Sequence, residues 1–314
     1  MHIEREEIYR LESYNFALPS ELIAQYPARP RDHARLLVVD RTSGVLEDRR
    51  FYQIGDYLQK GDALVLNETR VIPARLLGFK ESGARVEVFL LRRAGELWEA
   101  LVKPARRLKP GHRVYFHQDR PEYIEVIDES PLEGGRLVAF RNCPDEAVLI
   151  EEVGRTPLPP YISRPDQAGD ACDYQTVYAE KSGSVAAPTA GLHFTGRLLE
   201  DIEAQGVNLV KLLLHVGIGT FRPVSVEDIR QHQMHSEYYE LSDKAASLLN
   251  ETRNRGGRIC AVGTTVVRTL ETIYDKKQGF RPGKGETDIF IYPGYQFQAV
   301  DRLVTNFHLP GSSL

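Results

Sequence analysis

The sequence predicts an α/β protein with a mixed sheet, helices on both faces of it, and a small all-β barrel inserted into the chain. Apolar runs of strand length alternate with helical patterns near both ends of the chain. Between them, from about Arg75 to Leu149, short alternating runs are separated by Gly, Pro and Asp turns, with no convincing helix. The 314 residues, 42% of them hydrophobic, suffice for about two domains. We therefore predict a first α/β part in residues 1–74, the barrel in 75–150 and a second α/β part in 151–314.

The first α/β part contains two strand-like runs around one helical pattern. RLLVVD, from Arg35 to Asp40, and DALVLNETRVIPARLLG, from Asp62 to Gly78, are apolar and β-branched. The intervening FYQIGDYLQKG repeats apolar residues at helical spacing, namely Phe51, Ile54, Tyr57 and Leu58. The order is therefore strand, helix, strand.

The barrel strands are predicted from five short runs: ARVEVFLLRR, LWEALVKP, HRVYFHQ, YIEVIDE and GRLVAFR. Helices then return. TGRLLEDIEAQG, from Thr195 to Gly206, begins with a capping threonine and ends at glycine, and VNLVKLLLHVGIG follows as a buried strand. Ser225 and Asp228 have capping-box spacing and predict a helix over SVEDIRQHQMH. SDKAASLLNETRNRGG predicts a helix, RICAVG a strand, and TTVVRTLETIYDKK the next helix.

Composition excludes several classes of protein. No apolar run approaches the roughly 20 residues that span a bilayer, and the charged start MHIEREEIYRLE is unlike a signal peptide, so we expect a cytoplasmic protein. Three scattered cysteines (Cys143, Cys172 and Cys260) indicate neither a disulfide framework nor a zinc site. A net charge of −4 argues against indiscriminate coating of nucleic acid.

One stretch, GSVAAPTAGLHFT from Gly183 to Thr195, carries no charge and no run of large apolar residues. Such a stretch suits backbone packed closely around a small ligand. We predict that it forms a pocket wall, and that the wall residues are Ala186, Ala187, Pro188, Ala190 and Gly191. His193 would then be a titratable group in an uncharged pocket. The alternative is a core histidine with a satisfied hydrogen bond.

Two glycine turns follow predicted strands, where ligands bind in open α/β sheets. AVGTTVVR places Gly263, Thr264 and Thr265 at a helix N-terminus, which suits a carboxylate, although threonine can also be a simple N-cap. LHVGIGTF ends a strand at His215 and continues through Gly217, Gly219 and Thr220. These glycines either admit a ligand or only form a turn.

His193 and His215 are the candidate base and acid, because both are flanked by small or apolar residues. His232 and His235 are three residues apart and would share a helix face. Together with His215 they raise the alternative of a metal-dependent hydrolase, but the chain has no His-Glu-x-x-His helix. We expect no metal.

Basic residues cluster twice. KPARRLKPGHR holds Lys103, Arg106, Arg107 and Lys109 in a turn fixed by prolines, and PARPRDHAR holds Arg29 and Arg31. Such runs are usually a solvated face, but a rigid basic turn on a small barrel also suits contact with nucleic-acid phosphates.

Nine ordered motifs carry a resemblance that extends from about Tyr14 onward. They are LPSELIAQYPARPRDHARLLVVDR, LVLNETRVIPARLLG, WEALVKPARRLKPG, RTPLPPYISR, YQTVYAEKSGSVAAPTAGLHFT, LHVGIGTFRPV, HQMHSEYYEL, AVGTTVVRTLE and TDIFIYPGYQFQAVDRLVTNFHLPGSSL. In this order they resemble the S-adenosylmethionine:tRNA ribosyltransferase-isomerases of queuosine biosynthesis. Members of that family usually continue for some tens of residues past FHLPGSSL, whereas no counterpart is expected for the first dozen residues.

The resemblance implies an α/β domain with an inserted β-barrel and an unusual reaction. The ribosyl part of S-adenosylmethionine moves onto 7-aminomethyl-7-deazaguanine at the tRNA wobble position. Epoxyqueuosine-tRNA, adenine and methionine result. The expected partners are S-adenosylmethionine as cosubstrate and that tRNA, with no membrane and no obligate protein partner.

Two further classes remain as alternatives. A non-enzymatic RNA-binding adaptor would need the basic barrel but not the glycine turns. A methyltransferase would share the cosubstrate, but the chain lacks a Gly-rich loop followed by an acidic ribose contact at dinucleotide-like spacing. Adenine and methionine among the products would distinguish the transfer of ribose from the transfer of methyl.

Overall fold

The computed structural model describes residues 6–217, 219 and 224–313. Its strands are β1 Arg35–Val39, β2 Leu46–Arg50, β3 Ala63–Asn67, β4 Thr69–Val71, β5 Arg75–Phe79, β6 Arg85–Ala94, β7 Leu97–Lys103, β8 Arg113–Tyr115, β9 Tyr123–Glu129, β10 Gly135–Arg141, β11 Gly154–Arg155, β12 Lys181–Ser184, β13 Asn208–Leu214, β14 Glu237–Leu241, β15 Ile259–Val262, β16 Tyr274–Asp275, β17 Gly279–Phe280, β18 Gly283–Thr287 and β19 Arg302–Val304. The α-helices are α1 Glu146–Val153, α2 Asp170–Asp173, α3 Gly196–Ala204, α4 Asp243–Asn254 and α5 Thr264–Ile273.

Six antiparallel strands form a closed barrel in the order β5-β6-β7-β10-β9-β8. The barrel closes where β8 pairs with β5, at Phe79 and Tyr115. Alternate residues of its strands, such as Val88 and Val102, are buried in one apolar cluster. The prediction of a small all-β barrel is confirmed.

The second sheet is mixed, with the strand order β18-β14-β13-β3-β15-β19. Strands β13, β3, β15 and β19 are parallel neighbours, whereas β14 and β18 are antiparallel. The central strand β3 is buried at all five positions, four of them apolar and the fifth Asn67, as expected of a parallel strand covered on both faces.

Alternate residues of β3 belong to two different apolar clusters. Ala63 and Val65 pack in a cluster that includes Leu249 of α4 and Leu270 of α5. Leu64 packs in another cluster, which includes residues of α3 and of the 3₁₀ helix Phe51–Tyr57. The period of two along the strand thus separates the residues of two cores.

One prediction for the first α/β part is wrong in detail. The strand predicted over RLLVVD is confirmed as β1, which among the described strands pairs with β2 alone, in a separate two-stranded sheet, with alternating burial. The predicted helix over FYQIGDYLQKG is a 3₁₀ helix, Phe51–Tyr57. The spacing of Phe51, Ile54 and Tyr57 is three residues, which is the period of a 3₁₀ helix.

Two further predictions need correction. The helix predicted over SVEDIRQHQMH is only the 3₁₀ turn Ile229–Gln231, capped by Asp228 rather than Ser225, so His232 and His235 share no helix face. Helix α1 was missed because it directly follows the last barrel strand, and it crosses residue 150. The Asp145 side chain caps it, accepting hydrogen bonds from the N–H groups of Ala147 and Val148.

The remaining C-terminal elements are confirmed. Thr195 caps α3 by accepting a hydrogen bond from the Leu198 N–H at 3.2 Å. Strands β13 and β15 and helices α4 and α5 form where the sequence predicts them. The carboxyl ends of the parallel strands β13, β15 and β19 therefore lie on the same side of the sheet.

Candidate active site

A cavity of about 300 Å³ lies where β13, β15 and β19 lead out of the mixed sheet. Its walls are Pro157, Pro159, Pro160, Tyr161, Tyr174, Ala186, Ala187, Pro188, Thr189, Ala190, Val216, Gly263, Thr264, Thr265, Thr305, Asn306, Phe307, His308, Leu309, Pro310 and Ser312. The carboxyl ends of parallel strands are the usual place for a ligand in open α/β sheets. The volume is at the lower end of the range of small-molecule sites.

The walls of this cavity carry no formal charge among the described residues. Three wall residues can titrate: Tyr161, Tyr174 and His308. Burial raises the pKa of Tyr161, and burial followed by the nearby Tyr161 raises the pKa of Tyr174 to about 12. Both phenols therefore keep their protons at neutral pH.

The N-terminus of α5 forms one wall. Gly263 adopts φ +91°, a left-handed conformation that favours glycine, and its N–H donates to the Val304 carbonyl at 2.8 Å. That bond joins the end of β15 to the end of β19. Among the residues described, no side chain caps α5, so its positive end faces the cavity at Thr264 and Thr265.

The alanine-rich segment forms the facing wall. Ala186, Ala187, Pro188 and Ala190 line the cavity, together with Thr189. Gly191 does not: a Cβ there would lie 2.0 Å from the Tyr178 hydroxyl, so this glycine allows close packing behind the wall. The Tyr178 hydroxyl is buried without a hydrogen-bond partner in the described part of the chain.

His193 lies behind the wall rather than on it. Its Nε2 is 3.2 Å from Oδ1 of Asn306, which does line the cavity, and its ring packs 5.1 Å from the ring of Phe51. Burial lowers the pKa of His193, against the opposing effect of its bonds to Asn306 and to the Arg31 backbone. His193 therefore does not line the cavity but contacts Asn306, a residue that does.

His215 is also absent from the cavity walls, although its neighbour Val216 is present. Its Nδ1 is 2.9 Å from the Thr69 hydroxyl, and its ring stacks against Tyr238 with centroids 6.1 Å apart. Burial lowers the pKa of His215. Side chains at the end of a strand alternate in direction, which separates His215 from Val216.

The turn after β13 is held by a buried ion pair. Glu237 accepts a hydrogen bond from the Gly217 N–H at 2.9 Å and contacts the guanidinium of Arg268 in α5. Arg268 also donates to the carbonyls of Thr287 and Ile289. Burial raises the pKa of Glu237, and Arg268 opposes that rise. Gly217 is therefore part of a supporting network and lies off the cavity.

Gly219 and Thr220 are the other two residues of this turn that the sequence predicts to contact a ligand. Gly219 packs against the ring of His235, where a Cβ would come within 2.8 Å, and it does not line the cavity. Thr220 lies outside the described residues.

Sequence reasoning missed the wall formed by residues 305–310. This segment follows β19 and contains His308, whose pKa is lowered by burial, and Phe307, which is 90% exposed. A signal was available, since Leu303–Leu314 is a second uncharged run with a single histidine. It shares the absence of charge and the single histidine with the stretch from Gly183 to Thr195.

The basic turn of the barrel is exposed and rigidly held. Lys103, Arg106, Arg107 and Lys109 are all exposed, and none forms an ion pair within the described ranges. The buried guanidinium of Arg136 donates to the carbonyls of Leu108 and Ala105, at 2.7 and 3.0 Å. The turn therefore presents four free cations on a fixed backbone.

The other two basic candidates are engaged within the protein. Arg31 donates to the carbonyls of Gln175 and Cys172, at 3.0 and 3.2 Å. Arg29 pairs with Asp173 at 2.9 Å, although its side chain remains largely exposed. Both arginines fasten the α2 region, which precedes the alanine-rich wall.

The three histidines of the hydrolase alternative have other neighbours. His215 bonds Thr69, and the His232 ring packs 5.0 Å from that of Phe290. Within residues 6–217, 219 and 224–313, no three His, Cys, Asp or Glu side chains are grouped as a metal ion would need. In the same ranges no helix is long and apolar enough to cross a bilayer.

The fold and the cavity together define a two-part protein in which an α/β sheet carries a ligand-sized site beside an inserted barrel. The model of the family described as "Queuosine biosynthesis protein" matches residues 11–314. The chain belongs to this family.

Relatives agree over almost the whole chain. A protein of Syntrophomonas wolfei is 64% identical over 313 residues, which is 100% of this chain and 89% of that protein. A protein of Symbiobacterium thermophilum is 52% identical, and the match covers 97% of this chain and 89% of that protein. Both are named S-adenosylmethionine:tRNA ribosyltransferase-isomerase. The first alignment also supplies a counterpart for the opening residues, for which none was expected.

A solved structure is similar as well. The crystal structure of S-adenosylmethionine tRNA ribosyltransferase from Thermotoga maritima is 37% identical and has a TM-score of 0.50. The match covers 96% of this chain and 86% of that one.

Proposed function

We propose that this chain transfers and isomerises the ribosyl group of S-adenosylmethionine onto 7-aminomethyl-7-deazaguanine at the tRNA wobble position. The products are epoxyqueuosine-tRNA, adenine and methionine. One observation carries the proposal: a chain of the queuosine biosynthesis family has a ligand-sized cavity at the carboxyl ends of its parallel strands, and the described residues of its wall carry no formal charge.

The cavity suits the cosubstrate. The uncapped N-terminus of α5, at Gly263, Thr264 and Thr265, would receive the methionine carboxylate. The small side chains of Ala186, Ala187, Pro188 and Ala190 would allow close approach of the nucleoside. The sulfonium acidifies the adjacent ribose 5′-carbon, so the reaction needs a base with a pKa near neutrality and a site that excludes water. An uncharged wall meets that second need.

The exposed cations of the barrel would bind the tRNA phosphates. Lys103, Arg106, Arg107 and Lys109 combine local positive charge with a chain of net charge −4. Arg29 and Arg31 belong to the same prediction, and their intramolecular bonds give them a second role in fastening the α2 region.

His193 and His215 remain predictions as the base and acid. His193 is the better supported of the two, since it bonds a residue of the cavity wall. His215 does not line the cavity, and its bond to Thr69 supports a structural role. Gly191, Gly217 and Gly219 support the site from behind.

The other parts of the proposal concern architecture and setting. The two clusters on β3, one with α4 and α5 and one with α3, support helices on both faces of the sheet. We keep the division into residues 1–74, 75–150 and 151–314. We also keep a cytoplasmic setting, a reaction that needs neither metal nor redox cofactor, and the absence of an obligate protein partner.

The test is to incubate the protein with S-adenosylmethionine labelled in the adenine and ribose, together with an anticodon stem-loop that carries the 7-aminomethyl base. Released adenine and methionine, with labelled ribose on the RNA, are expected. S-adenosylhomocysteine would instead indicate a methyltransferase. RNA binding without calorimetric binding of S-adenosylmethionine would indicate an adaptor. Hydrolytic activity that depends on a metal ion, found in stoichiometric amount by elemental analysis, would support the hydrolase.

A further inference from the structure

His308 lies on the cavity wall beside the N-terminus of α5. It belongs to the segment that leaves β19, and the hydrogen bond from Gly263 to Val304 holds the start of that segment against α5. Strands β15 and β19 are parallel, with Val262 beside Val304, so their following segments leave from one edge of the sheet. His308 is thus positioned by two adjacent strand ends.

The imidazole of His308 is free to act as a base. It makes no hydrogen bond or ion pair with any described residue, in contrast to His193 and His215. Among the described residues, the other titratable groups on its cavity are Tyr161 and Tyr174, and both remain protonated phenols. Burial lowers the pKa of His308, so the ring is neutral at pH 7 and keeps a lone pair.

We propose that His308 is the base that removes the 5′-proton of the ribosyl group in the reaction proposed above. This inference rests on the proposed function. In the step, the C5′–H bond breaks, the proton moves to an imidazole nitrogen, and the electron pair stays on C5′ beside the sulfonium. The imidazolium formed in this way can then donate a proton to the departing adenine. His193 becomes a positioning residue, which holds the Asn306 carboxamide on the same wall.

The assignment agrees with the lack of formal charge among the described residues of the wall. A neighbouring carboxylate would raise the pKa of the imidazole and hold its proton, and a nearby cation would compete with the sulfonium for space and repel it. Beside described residues that carry no formal charge, the neutral base faces a cationic substrate without either penalty. Among these residues, His308 is the group that changes protonation closest to neutral pH.

The experiment compares His308→Gln and His308→Ala with His33→Gln, an exposed histidine away from the cavity. Turnover of labelled S-adenosylmethionine with the modified stem-loop is expressed per S-adenosylmethionine binding site, so that a partly folded preparation does not imitate a catalytic defect. Both His308 variants should lose at least about a hundredfold in kcat, with the Kd for S-adenosylmethionine nearly unchanged. His33→Gln should match the wild type.

The pH profile gives a second readout. The base acts when neutral, so wild-type kcat should fall as the pH drops through the pKa of His308, which burial places below the ordinary value of 6.5. The residual activity of His308→Gln should lack that acidic limb. Free imidazole should partly restore His308→Ala.

Three outcomes are distinguishable. A wild type that releases no adenine would contradict the proposed function itself. An active wild type with His308→Gln within about threefold of it would overturn the inference alone. A loss of turnover matched by an equal loss of S-adenosylmethionine affinity, with the acidic limb intact, would make His308 a binding residue and also overturn it.

Discussion

The cavity edge of the mixed sheet and the basic turn of the barrel use charge in opposite ways. Behind the cavity, Glu237 and Arg268 are buried and paired, and the described residues of the cavity wall carry no formal charge. On the barrel, Arg106 and Arg107 are exposed and make no ion pair with described residues. One region uses charge to hold its backbone in place, and the other presents it to solvent.

Under the proposed function, the difference would let one protein combine two kinds of recognition. A small cationic cosubstrate needs a fixed, dry wall, for which stray charge would be harmful. A polyanion needs accessible cations, whose contacts are strong but sensitive to salt. Substitutions near the cavity should therefore lower stability or turnover, whereas substitutions on the barrel turn should weaken RNA binding.

The largest effect is expected from Glu237→Ala. The change leaves the buried guanidinium of Arg268 without its carboxylate, which should reduce the free energy of unfolding by about 3–5 kcal/mol. Urea denaturation measures it. The matched control is Glu251→Ala, which removes an exposed i,i+4 partner of Arg255 and should cost less than about 1 kcal/mol. Equal losses for the two variants would contradict a supporting role for the buried pair.

Packing behind the wall should have the next largest effect. Gly191→Ala would drive its new methyl group into the Tyr178 hydroxyl and cost about 1–3 kcal/mol in the free energy of unfolding. Tyr178→Phe removes a buried hydroxyl without a partner in the described chain, so by itself it should cost little. The double variant should recover most of the loss. If the double variant recovers no stability, the cost of Gly191→Ala does not come from the contact with the Tyr178 hydroxyl.

A smaller effect is expected for His193 and its partner. If His193 positions Asn306, His193→Ala and Asn306→Ala should each lower turnover by about tenfold, the value of one hydrogen bond. The double variant should be little worse than either, because the two side chains form one unit. A loss of a hundredfold or more in His193→Ala, with near-normal Asn306→Ala, would instead favour His193 as the base.

The smallest effect belongs to the barrel, and it should appear in RNA binding alone. Arg106→Ala combined with Arg107→Ala should lower the salt slope of tRNA binding by about two, one for each lost phosphate contact. Turnover at saturating tRNA and the melting temperature should stay at wild-type values. Arg197→Ala, on the exposed surface of α3, is the control. Unchanged affinity and slope would make the turn a solvated face.

Local sequence patterns predicted much of the fold because several elements have unambiguous signals. Strand β3 is a continuous apolar run, and α3 begins at a capping threonine. Strand β1 has a similar composition, yet it pairs with the nearby β2 in a separate sheet, whereas β3 pairs with β13 and β15, which a local pattern around β3 does not contain. The 3₁₀ helix at Phe51–Tyr57 was mistaken for an α-helix because the two share a spacing of three.

The cavity was only partly predictable for a related reason. Composition identified the alanine-rich segment and the Gly263 turn, and the structure places both on one cavity. Composition also identified His193 rather than His308 as the candidate base, although both histidines lie in uncharged runs. Which imidazole faces the space and which faces the core depends on how β19 pairs with β15, and that pairing joins residues about 40 positions apart.

The position of β3 in the sheet has a consequence for the order in which the chain folds. Its two neighbours, β13 and β15, begin at Asn208 and Ile259, so β3 leaves the ribosome long before either partner exists. All six barrel strands lie between Arg75 and Arg141, and they can pair as soon as that segment has emerged. Because non-local parallel pairing is slow, we expect the barrel to fold first and the mainly apolar segment ALVLN to need protection from aggregation until β15 has also emerged.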